Sequence, residues 1–159
     1  MQEYFDAAAA RSAEARTRLA SNLDIPYGDT ALQRLDIFPA GQPGAPVFVF
    51  IHGGYWRALD KSFYSDIAET FTAAGATVVL PNYDLCPAVS IPDIVTEMRT
   101  ALAWVHANIA AYNGDANKIY VCGHSAGGHL TGMMMTTDWA AMGLPSDLLK
   151  GAAPLSGLF

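Results

Sequence analysis

The sequence predicts an α/β fold: a mostly parallel sheet with helices on both faces. Three observations carry that reading. The stretches Val47–His52, Thr77–Leu80, Ile119–Cys122 and Gly151–Leu155 are apolar without inside–outside alternation, as strands buried on both faces are. Segments with helical periodicity lie between them, the order that builds βαβ units. Glycines and polar residues follow several of these strands, and parallel sheets bind ligands beyond the carboxyl ends of their strands.

Each element has its own signal. Residues 3–21 read as a solvated helix, because Glu14 sits among Arg11, Arg16 and Arg18. Gln33–Phe38 reads as a strand closed by the turn-rich Pro39-Ala40-Gly41-Gln42-Pro43-Gly44. Ser62–Ala74 places Phe63, Ile67 and Phe71 on one helical face and ends at Gly75. Pro92–Tyr112 carries Ile94, Met98, Ala101, Leu102, Val105 and Ile109 at helical spacing and stops at Asn113-Gly114. A helix follows from Ala126 to about Thr136, with Met133, Met134 and Met135 read as core.

Composition narrows the function classes. The 159 residues are 52% hydrophobic and 15% charged, with a net charge of −6. Such a chain can bury enough apolar surface to offset its ordering entropy, so it is not disordered. It has no basic patch to neutralise phosphates, which argues against nucleic-acid binding. No apolar run reaches the roughly 18 residues of a membrane helix, and the acidic start is unlike a signal peptide. Two cysteines, Cys86 and Cys122, make neither a disulfide framework nor a zinc site. A cytoplasmic location is the default expectation. No repeat or linker divides the chain, which reads as one domain over 1–159.

Chemistry enters at Gly123-His124-Ser125-Ala126-Gly127, a G-x-S-x-G sequence directly after one expected strand and before a helix. In that context the serine occupies a strained turn, its hydroxyl stands above the sheet, and the helix N-terminus favours developing negative charge. Ser125 is therefore the candidate nucleophile. A second motif, His52-Gly53-Gly54-Tyr55-Trp56, follows the strand Val47–Ile51. Glycines let backbone N–H groups turn toward an oxyanion, so Gly53, Gly54, Tyr55 and Ala126 are the candidate oxyanion hole. Tyr55, Trp56 and His124 are candidate pocket walls. Other motifs fit poorly. Gly123-x-Ser125-x-x-Gly128 puts serine where a dinucleotide fingerprint needs its central glycine, and no lysine follows Gly128 as in a P-loop. His124 and His129 do not share a helix face, so no metal site or cofactor is expected.

Together HGGYW, GHSAGGH and the intervening Pro81-Asn82-Tyr83-Asp84-Leu85-Cys86-Pro87 resemble the α/β-hydrolase superfamily in its hormone-sensitive-lipase-like branch. HGGYW is similar to the oxyanion motif of the kynurenine formamidases (arylformamidases). Asp84 stands where the family's "NYRLAP"-type stretch has arginine. The resemblance implies a serine hydrolase of esters or amides with an aryl formamide as the first-choice substrate; a short-acyl carboxylesterase is the alternative.

The fold's chain order is Ser, then Asp or Glu, then His. After Ser125 the only histidine is His129, one helical turn away and too local for a base. Asp138 and Asp147 precede the strand Gly151–Leu155 and read as surface or capping residues. The acid and base, with the family's later strands, are therefore expected outside this chain, on a companion segment, and the exposed loop around Phe159 reads as a point where a longer chain was cut or split. A non-catalytic, partner-binding fragment is the reading from another class. A homo-oligomer is compatible with the composition.

Overall fold

A computed structural model describes residues 2–159, with side chains from residue 6 onward. Its six-stranded sheet comprises β1 (Asn22–Pro26), β2 (Arg34–Phe38), β3 (Ala45–Ile51), β4 (Thr77–Pro81), β5 (Gly114–His124) and β6 (Leu149–Leu155). Their spatial order is β1-β2-β4-β3-β5-β6. The pairs β3–β4, β3–β5 and β5–β6 are parallel, whereas β2 runs antiparallel to both β1 and β4. The mostly parallel sheet is thus as expected, with an antiparallel edge.

Helices α1 (Gln2–Arg18) and α2 (Ile67–Ala73) cover one face; α3 (Ile91–Asn108) and α4 (Ala126–Met135) cover the other. The larger core joins Val47, Val49 and Ile51 to Ile94, Met98, Leu102 and Leu130. The smaller joins Phe38, Phe50, Val78 and Leu80 to Ala68, with Leu19 and Phe71 packed on it. At about 25 cal/mol per Å² of apolar surface removed from water, these two layers are the main force holding the sheet.

Four local departures from the sequence reading have physical causes. Strand β1 was not expected: its residues are mostly exposed, so no apolar pattern marks it, and Asp24 bulges at φ 57°. Its pairing with β2 is reinforced by the Asp24 N–H donating to the buried Asp36 carboxylate at 2.8 Å. The expected helix Ser62–Ala74 is split into a 3₁₀ turn, Lys61–Tyr64, and α2. The Ser12 hydroxyl of α1 donates to the Phe63 carbonyl at 2.9 Å and accepts from the Asp66 N–H at 3.2 Å. Those backbone groups would otherwise serve a continuous helix. Helix α3 tightens into a 3₁₀ turn at Ile109–Tyr112 before Asn113 at φ 64°. Met134 is core, but Met135 is 56% exposed, so the three methionines do not all pack inward. Among the described residues no helix is long and apolar enough to cross a membrane.

A buried ionic cluster ties the antiparallel edge to the helices above it. The Lys61 ammonium lies 2.6 Å from Asp24 and 2.9 Å from Asp36, and the Arg16 guanidinium lies 2.7 Å from Asp36. Asp36 is fully buried and the Lys61 side chain nearly so. Four elements therefore meet at one carboxylate, which two cations must neutralise for it to stay charged in the interior.

Candidate active site

Ser125 lies between β5 and α4 at φ 57°, ψ −117°. A non-glycine residue there is strained by about 1–3 kcal/mol and persists only where its surroundings fix it. Glycine contacts supply the fixing. A Cβ on Gly123 would sit 2.2 Å from the Gly127 carbonyl oxygen, and one on Gly127 would sit 2.0 Å from that of Ile51. The strand, the helix start and the neighbouring strand end are therefore in backbone contact. The Ser125 N–H donates to the Leu155 carbonyl at 2.9 Å, and its own carbonyl accepts from the His129 N–H at 3.0 Å. Its hydroxyl makes no hydrogen bond among the described residues.

The second loop leaves the adjacent strand β3. Gly54, Tyr55 and Trp56 all have positive φ, at 115°, 58° and 58°. The turn closes when the Arg57 and Ala58 N–H groups both donate to the Gly54 carbonyl at 3.0 Å. A Cβ on Gly53 would meet the His124 carbonyl oxygen at 2.7 Å and the Ser125 Cβ at 3.4 Å, so this loop and the serine turn touch.

Side chains hold the loop from beneath. His52 is buried, with Nδ1 2.7 Å from the Gly53 carbonyl oxygen and Nε2 2.8 Å from the Asn82 Oδ1. Its ring stacks on Tyr83 at 4.3 Å and 7°. The Tyr83 hydroxyl donates to the His52 carbonyl at 2.8 Å. The Asn82 amide nitrogen donates to Asp60 at 2.8 Å, and Asp60 in turn accepts from the Ser62 N–H. Burial lowers the pKa of His52. Burial pushes the Asp60 carboxyl up, but hydrogen bonds from Ser62 and the charge of Lys61 outweigh it, and the net shift is down.

Both loops open on one cleft of about 790 Å³, lined mainly by apolar groups. Gly53, Gly54, Tyr55, His124 and Ser125 line it, with Phe50, Phe63 and Tyr64 on one side and Ala8 and Arg11 of α1 on another. Tyr55 is 69% exposed at its mouth. Trp56 differs from its expected place at the pocket wall. Its indole is buried in the larger core, edge-on to His129 with ring centres 5.2 Å apart. Both residues have positive φ, but Trp56 is buried and Tyr55 is exposed. Ala126 is fully buried as the first residue of α4.

The other titratable candidates stand elsewhere. Burial lowers the pKa of His129, and its buried Nδ1 has no partner among the described residues. Asp138 accepts from the Ala141 N–H at 3.1 Å, capping a turn, and Asp147 pairs with Lys150. No group of three metal-ligating side chains occurs among the described residues. Sequence reasoning missed the roles of Asn82 and Tyr83, which bond His52 from 30 and 31 positions away, and of Asp60, which accepts from the Asn82 amide.

A mostly parallel sheet with a serine on a strained strand-to-helix turn, beside a His-Gly-Gly loop, defines an α/β-hydrolase fold. Comparison with known proteins agrees. Residues 35–145 match the BD-FAE family, and the chain belongs to that family. It is 32% identical over 147 residues to the kynurenine formamidase of Danio rerio, covering 91% of this chain and 48% of that one. It is 36% identical over 108 residues to the isoprenylcysteine alpha-carbonyl methylesterase ICME of Arabidopsis thaliana, covering 67% of this chain and 25% of that one. A crystal structure from Silicibacter sp. TM1040, provisionally described as a thioesterase, superposes with TM-score 0.85 at 33% identity, over 99% of this chain and 58% of the other. The chain thus spans about half the length of the kynurenine formamidases it matches.

Proposed function

We propose that this chain carries the nucleophile and oxyanion hole of a serine hydrolase that cleaves an ester or amide through an acyl-enzyme. One observation carries the reading: the Ser125 hydroxyl, on its strained turn, shares a cleft with the Gly53–Tyr55 backbone. Ser125 Oγ would attack the carbonyl carbon. The oxyanion would form against N–H groups of Gly54, Tyr55 and Ala126, where each donor contributes about 3–4 kcal/mol of transition-state stabilisation in comparable sites. The amine or alcohol would leave, and water would hydrolyse the acyl-enzyme.

A serine hydroxyl needs an adjacent general base to attack at neutral pH. None contacts Ser125 Oγ among the described residues, so a companion segment supplies the base and acid in this reading. It would dock beside β6, whose outer edge is unpaired within the sheet; an unpaired strand edge is a ready template for added chain. The first-choice substrate is an aryl formamide of the N-formylkynurenine kind. Support comes from the formamidase relatives and from the mainly apolar cleft, which suits an aryl leaving group beside a one-carbon acyl. The esterase relatives favour a short-acyl carboxylesterase as the second reading.

A fluorophosphonate probe tests the chemistry: Ser125 is labelled, and Ser125→Ala abolishes both labelling and turnover. Folded protein that is never labelled, with or without a companion segment, would leave a non-catalytic binding role. For the substrate, kcat/KM is compared between N-formylkynurenine and p-nitrophenyl acetate. An ester preference above about a hundredfold, some 2.7 kcal/mol, selects the carboxylesterase.

A further inference from the structure

The cleft beside Ser125 is mainly apolar, yet two opposite charges line it: Arg11 of α1 and Asp66, which precedes α2. They pair, with Arg11 Nε donating to Asp66 Oδ2 at 3.2 Å. Stability does not explain the pair. The arginine side chain is 54% exposed and the aspartate 25%, and exposed ion pairs contribute about 0–1 kcal/mol. Helix α1 has other anchors in the buried Ser12 and Ala15 and in the pair from Arg16 to the buried Asp36.

Each partner has bonding capacity left. Arg11 spends its Nε on Asp66, and its two NH2 groups make no hydrogen bond among the described residues. Those groups are a fork that can hold a carboxylate by two parallel bonds. Asp66 Oδ1 lies 3.2 Å from the Ser12 hydroxyl and Oδ2 takes Arg11, but an ionised carboxylate has about four acceptor sites. A ligand of single charge would satisfy one partner and repel the other. A zwitterion satisfies both, its carboxylate on the Arg11 fork and its ammonium on Asp66. An α-amino acid carries both charges on one carbon, a spacing that suits two side chains already in contact. Ala8, Phe63 and Ile67 line the same cleft, so a ligand covering the pair shields it from water, where charge-assisted bonds strengthen. We infer that Arg11 and Asp66 form a head-group subsite for an α-amino-acid zwitterion, in the cleft that holds Ser125, and select acyl substrates that carry one.

The inference rests on the hydrolase reading, but its test needs no turnover. L-kynurenine, the amine that hydrolysis of N-formylkynurenine releases, carries the zwitterion; 2-aminoacetophenone is the same aryl ketone without it. Calorimetric titration of the protein used for fluorophosphonate labelling should give kynurenine an affinity at least about tenfold above that of the ketone. Arg11→Gln and Asp66→Asn should each cut that ratio to about threefold or less, with the loss falling on kynurenine and not on the ketone. An ion pair that only held α1 would weaken both ligands alike. Arg11→Lys, which keeps the charge but not the fork, should also lower the ratio and serves if Arg11→Gln fails to fold. Equal affinities in the natural protein, no measurable kynurenine binding, or a ratio undiminished in the folded Arg11 variant overturns the inference. A ratio that holds while Ser125 is never labelled would count against the hydrolase reading and leave the subsite standing.

Discussion

Two loops leave the carboxyl ends of the neighbouring strands β3 and β5, and different forces hold them. The Ser125 turn is held sterically: Gly123 and Gly127 bring three backbone segments together with no room for a methyl group. The His52–Trp56 loop is held by polar side chains, with His52, Asn82, Asp60 and Tyr83 satisfying one another beneath it. The difference sets how each can fail. Close packing fails abruptly when an atom is added, whereas a hydrogen-bonded support weakens by degrees and responds to protons.

The sharpest way to break the steric loop is Gly127→Ala. The new Cβ would lie 2.0 Å from the Ile51 carbonyl oxygen and 2.7 Å from that of His52. Both are backbone atoms of the strand end and cannot rotate away. Stability should fall by about 3 kcal/mol or more, a drop of about 10 °C in Tm for a chain of this size. Gly41→Ala is the control, because nothing lies within 4 Å of the added methyl, and it should change stability by less than about 0.5 kcal/mol. Equal effects in the two variants would show that the turn is not sterically fixed.

The polar side is broken one step removed, at Lys61. Its backbone N–H approaches the Asn82 side-chain oxygen at 3.4 Å, and its ammonium neutralises Asp36. Lys61→Met keeps most of the volume but leaves Asp36 with Arg16 and the Asp24 N–H. The expected loss is about 2–3 kcal/mol, at or below the low end for breaking a buried pair, since Arg16 still neutralises part of the charge. Thermal unfolding checks it. The ¹⁵N resonances of His52 should move as well, because the ammonium is a charge near that ring. Loss of stability with an unchanged His52 would separate the ionic cluster from the loop.

The same contrast explains what could be read from sequence. The serine turn is local: five consecutive residues hold the nucleophile and the glycines that make its backbone contacts possible. Apolar runs of four to six residues likewise marked the buried strands. The polar support is non-local. Asn82 and His52 are 30 positions apart, Asp36 interrupts an apolar strand, and Lys61 lies just before the expected helix Ser62–Ala74. Strand β1 was invisible because it is mostly exposed. For α1 a weak signal did exist: Ala8, Ser12 and Ala15 recur at helical spacing, and Ser12 and Ala15 are fully buried. Small residues on one face allow a helix to approach closely, which is how α1 reaches the cleft despite its charged appearance.

The smallest expected effect tests where the two loops meet, at His129. Its ring is edge-on to Trp56 of the polar-held loop, while its backbone belongs to the first turn of the serine helix. Burial lowers the pKa of His129 and of His52 below the ordinary 6.5. At these two sites the unfolded chain therefore binds more protons than the folded one below pH 6.5, so their contribution to stability falls as pH drops from about 6.5 toward 5. His129→Leu removes one of these two histidines and also a buried nitrogen without a partner. At pH 7.5 the variant should be as stable as the natural chain or slightly more so, by under about 1 kcal/mol, because deleting an unsatisfied polar atom costs little. Between pH 6.5 and 5 its Tm should fall less steeply than that of the natural chain. An unchanged slope would mean that His129 takes up its proton equally in both states.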